Sequence, residues 1–373
     1  MRKVLISKVA CETALGPGPE QLWEQLLAGN IGIRPLTRFN CENYTSNLAA
    51  GIDDLVGPAG GSRHDDLLDR LTDQLGPIPV HSRLLVASTK GEIDRLEMSR
   101  RSGEPVPREA LFEPLLEKIS RRFGLEDRGT NINAACASST IALARAAALI
   151  AHGQADSVLV YAADLLSEFV FSGFSALQAL SSAPARPFDA GRQGLTLGEA
   201  GAALLLTSEQ RMGDSPLATI AGWGAANDAH HVTAPARDGC GLVLACREAM
   251  KRAAISSEQI AAVNAHGTGT LYNDAMELTA FGVLFGDRMP PLHGLKGSLG
   301  HTLGAAGAIE AIVAGYALAS RQIPGTAGCI EPEEAGQGKV HQKVQHITGD
   351  YLLSTNSGFG GINAALILKR VAS

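Results

Sequence analysis

Aromatic residues are scarce in this chain, at 5%, and charged residues reach only 19% against the ~25% usual for soluble domains. With few large rings to fill an interior, Ala, Leu and 42 glycines must do so, and such cores let backbones approach one another closely. Hydrophobic residues make up 45% and the mean hydropathy is +0.06, so much of the chain must be hidden from water. Disorder and fibrous repeats are excluded. A GxxxxGK[ST] loop is absent and no GxGxxG follows the first apolar run, so neither ATP nor NAD is implied. The six cysteines (Cys11, Cys41, Cys136, Cys240, Cys246, Cys329) lack zinc-type spacing, and no charged-then-apolar leader precedes them. They are read as reduced thiols in the cytoplasm, with no metal site. Basic residues do not outnumber acidic ones: 32 against 38 give a net charge of -6, which argues against nucleic-acid binding. No apolar run reaches the ~20 residues of a membrane span. The longest, near 304–319, carries Glu310 and predicts a buried core helix.

What is present is regular alternation. At ~150 residues per domain, 373 residues make two or three domain equivalents. Predicted strands lie at Val4 to Val9, Leu84 to Ser88, the run before Cys136, Ser157 to Asp164, Ala202 to Leu206, Leu217 to Trp223, Ile260 to Asn264 and Ala364 to Leu368. Helices are predicted after Gly16–Pro19, at Glu113 to Phe123, from Thr140 to Gly153, at Gly241 to Ala254, at Asp274 to Phe285 and after His301. The segment from Cys41 to about Gly76 shows weak periodicity and reads as loops and short surface helices, and Lys296 to His301 reads as a turn. Strand and helix in alternation imply layered α/β architecture, with sheets buried on both faces.

The chain also echoes itself. GEAGAALLL (198–206) matches GGINAALIL (360–368) in chemical class at nearly every position, and NINAACASSTIALARAAALI resembles GLKGSLGHTLGAAGAIEAIVAG in the placement of small residues. Two copies of one α/β unit would put Cys136 and His301 at equivalent helix starts.

Cys136, between a strand and a helix, sits where a helix N-terminus favours a thiolate. Most cysteines are small buried hydrophobes, so its weight comes from two further clusters. His266 lies in VNAHGTGT and His301 in KGSLGHTLGAAG, each among glycines. A lone histidine after a strand is most often structural. Two beside a thiolate suit a reaction that builds negative charge on a thioester oxygen, because a neutral imidazole can donate a hydrogen bond there. STNSGFGG (354–361) reads as a tight turn whose N–H groups could face an oxyanion.

ACASS, NAHGTGT, KGSLGHTLGAAG and SGFGG, in this order, resemble the β-ketoacyl-ACP synthases, and NIGIRPLTRF, QALSS and ARPFDAGRQGLTLGEAGAALLL extend the likeness over most of the chain. The resemblance implies a thiolase-like five-layered αβαβα sandwich of two halves, 1–210 carrying the nucleophilic Cys and 211–373 carrying the two histidines. It implies an acyltransferase of fatty-acid or type II polyketide or polyene elongation. That enzyme stores an acyl group on Cys136 and condenses it with malonyl-ACP, with His266 and His301 driving decarboxylation and Lys296 supporting them. It further implies an oxyanion hole from the N–H groups of Cys136 and Phe359 and substrate contacts at Thr268, Thr270, Phe174, Thr233 and Phe359. Asp274, Glu277 and Glu310 would organise the site. No cofactor is implied beyond the phosphopantetheine of the substrates. The implied partners are acyl carrier protein and a second subunit, in a homodimer or beside a chain-length factor.

Some positions depart from the family pattern. Leu271 stands where proline is usual, ASTKGE replaces a glycine-rich turn after Leu84, and the region before Cys136 is short. Gln178 stands where a basic residue often meets the acidic carrier, leaving Arg34, Arg38, Arg121, Arg122 and Arg186 as docking candidates. The alternative reading is a non-catalytic, chain-length-factor-like subunit, against which Cys136 and both histidines argue.

Overall fold

The computed structural model describes residues 1–208 and 215–371. The boundary expected between 210 and 211 lies outside the described residues. Ten strands build one large sheet: β1 (Val4–Thr13), β2 (Arg83–Ala87), β3 (Thr130–Asn131), β4 (Ser157–Asp164), β5 (Ala200–Ser208), β6 (Ala218–Asn227), β7 (Ile260–Asn264), β8 (Leu292–His293), β9 (Tyr351–Gly358) and β10 (Ile362–Lys369). An eleventh, two-residue strand at Gly16–Pro17 pairs with the end of β1.

The spatial order is β8-β7-β9-β10-β6-β1-β5-β4-β2-β3. Read outward from the middle, each half is the same arrangement: a first strand, then the fifth, fourth, second and third of its set. The halves meet through the antiparallel pairing of Leu5 with Thr219 and Ile6 with Ala218. The sequence echo is explained by this repeat, because its two copies are β5 and β10 at equivalent places. Every residue of β4 and β5 is buried, as strands covered on both faces require.

Ten α-helices lie among the described residues: α1 (Pro19–Leu27), α2 (Arg63–Leu75), α3 (Ile93–Ser102), α4 (Phe112–Arg122), α5 (Ser138–Ala151), α6 (Glu168–Ala176), α7 (Cys240–Ala253), α8 (Leu271–Phe285), α9 (Lys296–Leu299) and α10 (Ala306–Ser320). The middle layer is α5 against α10, each touching strands of both halves. Outside, α2 lies on β1 and β5, and α7 on β6 and β10 with α8 behind it. This is the expected αβαβα sandwich. Small residues make the central contact possible: a Cβ at Gly307 of α10 would stand 1.9 Å from Thr140 Oγ1 on α5. The stretch Leu303–Ser320 is apolar enough to cross a membrane by length and composition, but 83% of it is buried inside the protein, as a core helix.

Three readings are corrected. The segment before Gly76 holds a 13-residue helix, α2, closed by a Ser62–Asp65 capping box, with Leu67, Leu68, Leu71 and Leu75 buried. Its leucines recur at helical spacing, and burying each stabilises the fold by ~1.5–3 kcal/mol. Lys296–Leu299 is a helical turn rather than a plain turn, stopped by Gly300. Most of STNSGFGG is strand β9, and only residues 359–361 turn.

Candidate active site

Cys136 is placed by strain and a hydroxyl. Ala135 before it has φ +49°, a left-handed conformation costing an L-residue about 1–3 kcal/mol. The Ser138 hydroxyl holds that conformation by accepting from the Ala134 N–H at 2.9 Å and donating to the Ala135 carbonyl at 2.6 Å. The chain then enters α5, leaving Cys136 7% exposed at its start. Gly358, the last residue of β9, lies against this turn: a Cβ there would meet the Ala134 carbonyl at 2.9 Å and the Cys136 nitrogen at 3.1 Å. That approach brings the Phe359 backbone N–H to the side of the Cys136 sulfur, where it pulls the thiol pKa down.

The thiolate expected from the helix start is not the resting form. Burial pushes the Cys136 thiol up to about 11, against the opposing pull of Lys296 and, more weakly, Lys90. The helix start positions the sulfur, and desolvation keeps its proton.

His266 follows β7 and is held by its backbone. Its N–H donates to Glu277 Oε1 and that of Gly267 to Glu277 Oε2, both at 2.7 Å. Asp274 accepts likewise from Thr268 and Gly269 in the same loop and from Phe188 at 2.7 Å. Both carboxylates are wholly buried at the start of α8, so the solvated helix face that might have explained them is ruled out. Burial raises both, Glu277 to about 8 with Asp274 adding repulsion.

Lys296, 2% exposed, donates to the His266 carbonyl at 2.5 Å and to Glu310 Oε1 at 2.6 Å. Asn356 donates to Glu310 Oε2 at 2.7 Å and meets His266 Nδ1 at 3.1 Å. His301 is tied to the first half: its N–H donates to the Thr196 carbonyl at 2.6 Å, and its carbonyl accepts from Gly198 at 2.9 Å. Its ring meets that of His266 edge to face, centroids 5.1 Å apart. Burial, then Lys296, holds both imidazoles well below the ordinary histidine range, so both are neutral.

Cys136 Sγ and one nitrogen each of His266 and His301 lie within 4.8 Å of one another. All three line a cavity of about 340 Å³. Residues from separate stretches of sequence thus meet at one point between the two halves.

The N-terminal part, residues 107–211, matches the family described as beta-ketoacyl synthase, N-terminal domain, and residues 217–329 match its C-terminal domain. The 3-oxoacyl-[acyl-carrier-protein] synthase 2 of Vibrio cholerae is 30% identical, the alignment covering 99% of each chain. The chain belongs to the β-ketoacyl synthase family. The ishigamide ketosynthase/chain length factor superposes on this family member with TM-score 0.91 at 28% identity over all of both chains. A ketosynthase in complex with its chain length factor from Xenorhabdus doucetiae gives 0.85 at 28% identity over 99% of this chain and 98% of that one.

The other predicted positions of this synthase-family chain gather at the same cavity. Phe174, Thr233, Thr268, Thr270, Phe359 and Leu271 line it, and Phe174 stacks on Phe359 with ring centroids 5.7 Å apart. Lys296, Asp274, Glu277 and Glu310 stand behind it. The five arginines named for carrier docking do not line it. Arg34 pairs with Asp53, Arg38 with Glu199, Arg122 with Asp69 and Arg186 with Asp189. Sequence reasoning passed over Asn356, Thr140 and Gly358. Asn356 lay inside a quoted motif but was read as part of a turn, and a strand assignment to β9 would have turned it toward α10.

Proposed function

We propose that this chain is a 3-oxoacyl-ACP synthase, carrying out decarboxylative Claisen condensation in fatty-acid or type II polyketide or polyene elongation. The observation that carries the reading is the meeting of one thiol and two neutral imidazoles in one cavity. Cys136 attacks an acyl thioester, its proton passes to the departing pantetheine sulfur, and the N–H groups of Cys136 and Phe359 hold the oxyanion. Malonyl thioester then loses CO2. Hydrogen bonds from His266 and His301 stabilise the enolate oxygen, the new C–C bond forms at the acyl carbonyl, and the bond to Cys136 breaks. Storing the acyl group makes the second step local. As written, the sequence needs no metal or organic cofactor.

Thr268 and Thr270 serve the pantetheine arm, and Phe174, Thr233 and Phe359 shape the acyl entry. Lys296 and Glu310 support the imidazoles, while Asp274 and Glu277 hold the loop that presents His266. The two halves, 1–210 and 211–373, divide the labour between nucleophile and histidines. The partners are acyl carrier protein and a second subunit, either a copy of this chain or a chain-length factor. The intact trio favours the catalytic role over that of a chain-length factor itself. Intact-mass spectrometry after incubation with acyl-ACP, alone and with the co-purifying subunit, is the test. An acyl adduct on the native protein and none on Cys136→Ala is expected; a native protein with no adduct in either setting overturns the reading.

A further inference from the structure

Asn356 does more than fill the gap between β9 and α10, and its chemistry follows from its neighbours. It is wholly buried, on the strand that ends at Gly358. The Thr140 hydroxyl of α5 donates to its Oδ1. Its Nδ2 donates to Glu310 Oε2 at 2.7 Å, where a carboxylate paired with the Lys296 ammonium can only accept. The amide orientation is therefore fixed from both ends. Nδ2 carries a second hydrogen, and the atom it faces is His266 Nδ1 at 3.1 Å. A nitrogen that receives a hydrogen bond carries no proton, so the ring proton of neutral His266 must sit on Nε2.

We propose that Asn356 is a positioning residue that sets the tautomer of His266, holding its proton on Nε2 for donation to the substrate oxygen. The surrounding packing enforces this. A Cβ at Gly307 would stand 2.8 Å from Asn356 Oδ1 and 1.9 Å from Thr140 Oγ1, so glycine there is what lets α10 admit the Thr140–Asn356 pair. One short chain of bonds thus runs from α5, through β9, to the His266 ring and the Lys296–Glu310 pair. No comparable bond fixes His301, whose Nδ1 has no partner among the described residues. The inference deepens the condensation reading and rests on it for the use of the proton, but the tautomer itself is measurable without any activity.

The test is Asn356→Asp, nearly isosteric, which keeps an acceptor for Thr140 but turns the donor toward His266 into a carboxylate oxygen. Long-range 1H–15N correlation of histidine-labelled protein, with His266 assigned by its loss in His266→Ala, reads the tautomer directly. The native protein is expected to show the proton on Nε2, and the variant to show it on Nδ1. Malonyl-ACP decarboxylation should then fall about a hundredfold in kcat with KM little changed. Acyl uptake on Cys136 should fall far less. Circular dichroism and a melting curve establish that the variant is folded; Asn356→Ser, which removes the carboxylate, serves the same comparison if Asn356→Asp fails to fold, with both tautomers expected to be populated. A native proton on Nδ1, an unchanged tautomer in the variants, or a changed tautomer with unchanged decarboxylation overturns the proposal. If instead the native protein shows no acyl adduct while the tautomer shifts as expected, the condensation reading fails and the Asn356 assignment stands.

Discussion

His266 and His301 present their rings to the same cavity, yet the protein treats them differently. The backbone of His266 is gripped on both sides, by Glu277 at its N–H and Lys296 at its carbonyl, and its ring by Asn356. His301 is tied by backbone bonds alone, to Thr196 and Gly198 of the other half, and its Nδ1 is unpartnered among the described residues. A buried polar atom without a partner costs ~1–3 kcal/mol, so the looser mooring is not the more stable one. One imidazole is a donor of fixed direction; the other keeps a choice of tautomer. His293 supplies a third case, fully buried with neither ring nitrogen partnered among the described residues, but outside the cavity lining. What sets His266 and His301 apart from His293 is their convergence on Cys136.

The comparison can be broken most forcefully at Lys296. Lys296→Met leaves Glu310 buried without its counter-charge, and the chemical-denaturation midpoint should report a loss of about 3–5 kcal/mol. The same variant removes the largest pull on the Cys136 thiol, so the rise of alkylation rate with pH should move further up from about 11. A wild-type denaturation curve would show that the pair on the His266 side carries no such weight.

His301→Ala should lower condensation about 10²- to 10³-fold while sparing acylation of Cys136. Equal loss of the two half-reactions, measured by adduct formation and by CO2 release, would contradict the role given to His301.

His293→Leu sharpens the contrast through pH. Burial lowers the His293 pKa from 6.5 to about 3. Between those values the unfolded chain binds a proton that the folded one refuses, so stability is intact above 6.5 and falls on acidification by about 1.4 kcal/mol per pH unit. Removing the ring should abolish that share of the acid sensitivity while leaving condensation at pH 7 unchanged. An acid-unfolding midpoint identical to that of the native protein would show that His293 titrates normally.

The smallest effect belongs to Lys90, half-buried, whose charge reaches Cys136 only through space. Lys90→Ala should slow alkylation of Cys136 at fixed pH by less than about threefold, an effect that high salt shrinks.

Much of this was legible before any coordinates. The repeat of 198–206 in 360–368 announced two similar halves, and Ile260 to Asn264 and Ser157 to Asp164 were read at the bounds the structure gives. Cys136 between a strand and a helix, and His266 and His301 each among glycines, are legible from local sequence. Less legible was α2, whose capping box uses Asp65 in place of Glu or Gln, and whose loop-rich surroundings masked its leucines. The ionisation state of Cys136 is not legible in the sequence, because a helix start is visible there and desolvation is not.

By itself, then, the sequence determined the alternation of strand and helix, the duplicated unit and the residue types offered for chemistry, since periodicity and turn residues act over a few neighbours. Tertiary structure alone decided that Asn356 faces His266, that Asp274 and Glu277 are buried beneath a loop, and that Lys296 answers Glu310. Those facts depend on how two halves close over one layer of small-residue helices, and the distances across that closure follow from packing that no local pattern encodes.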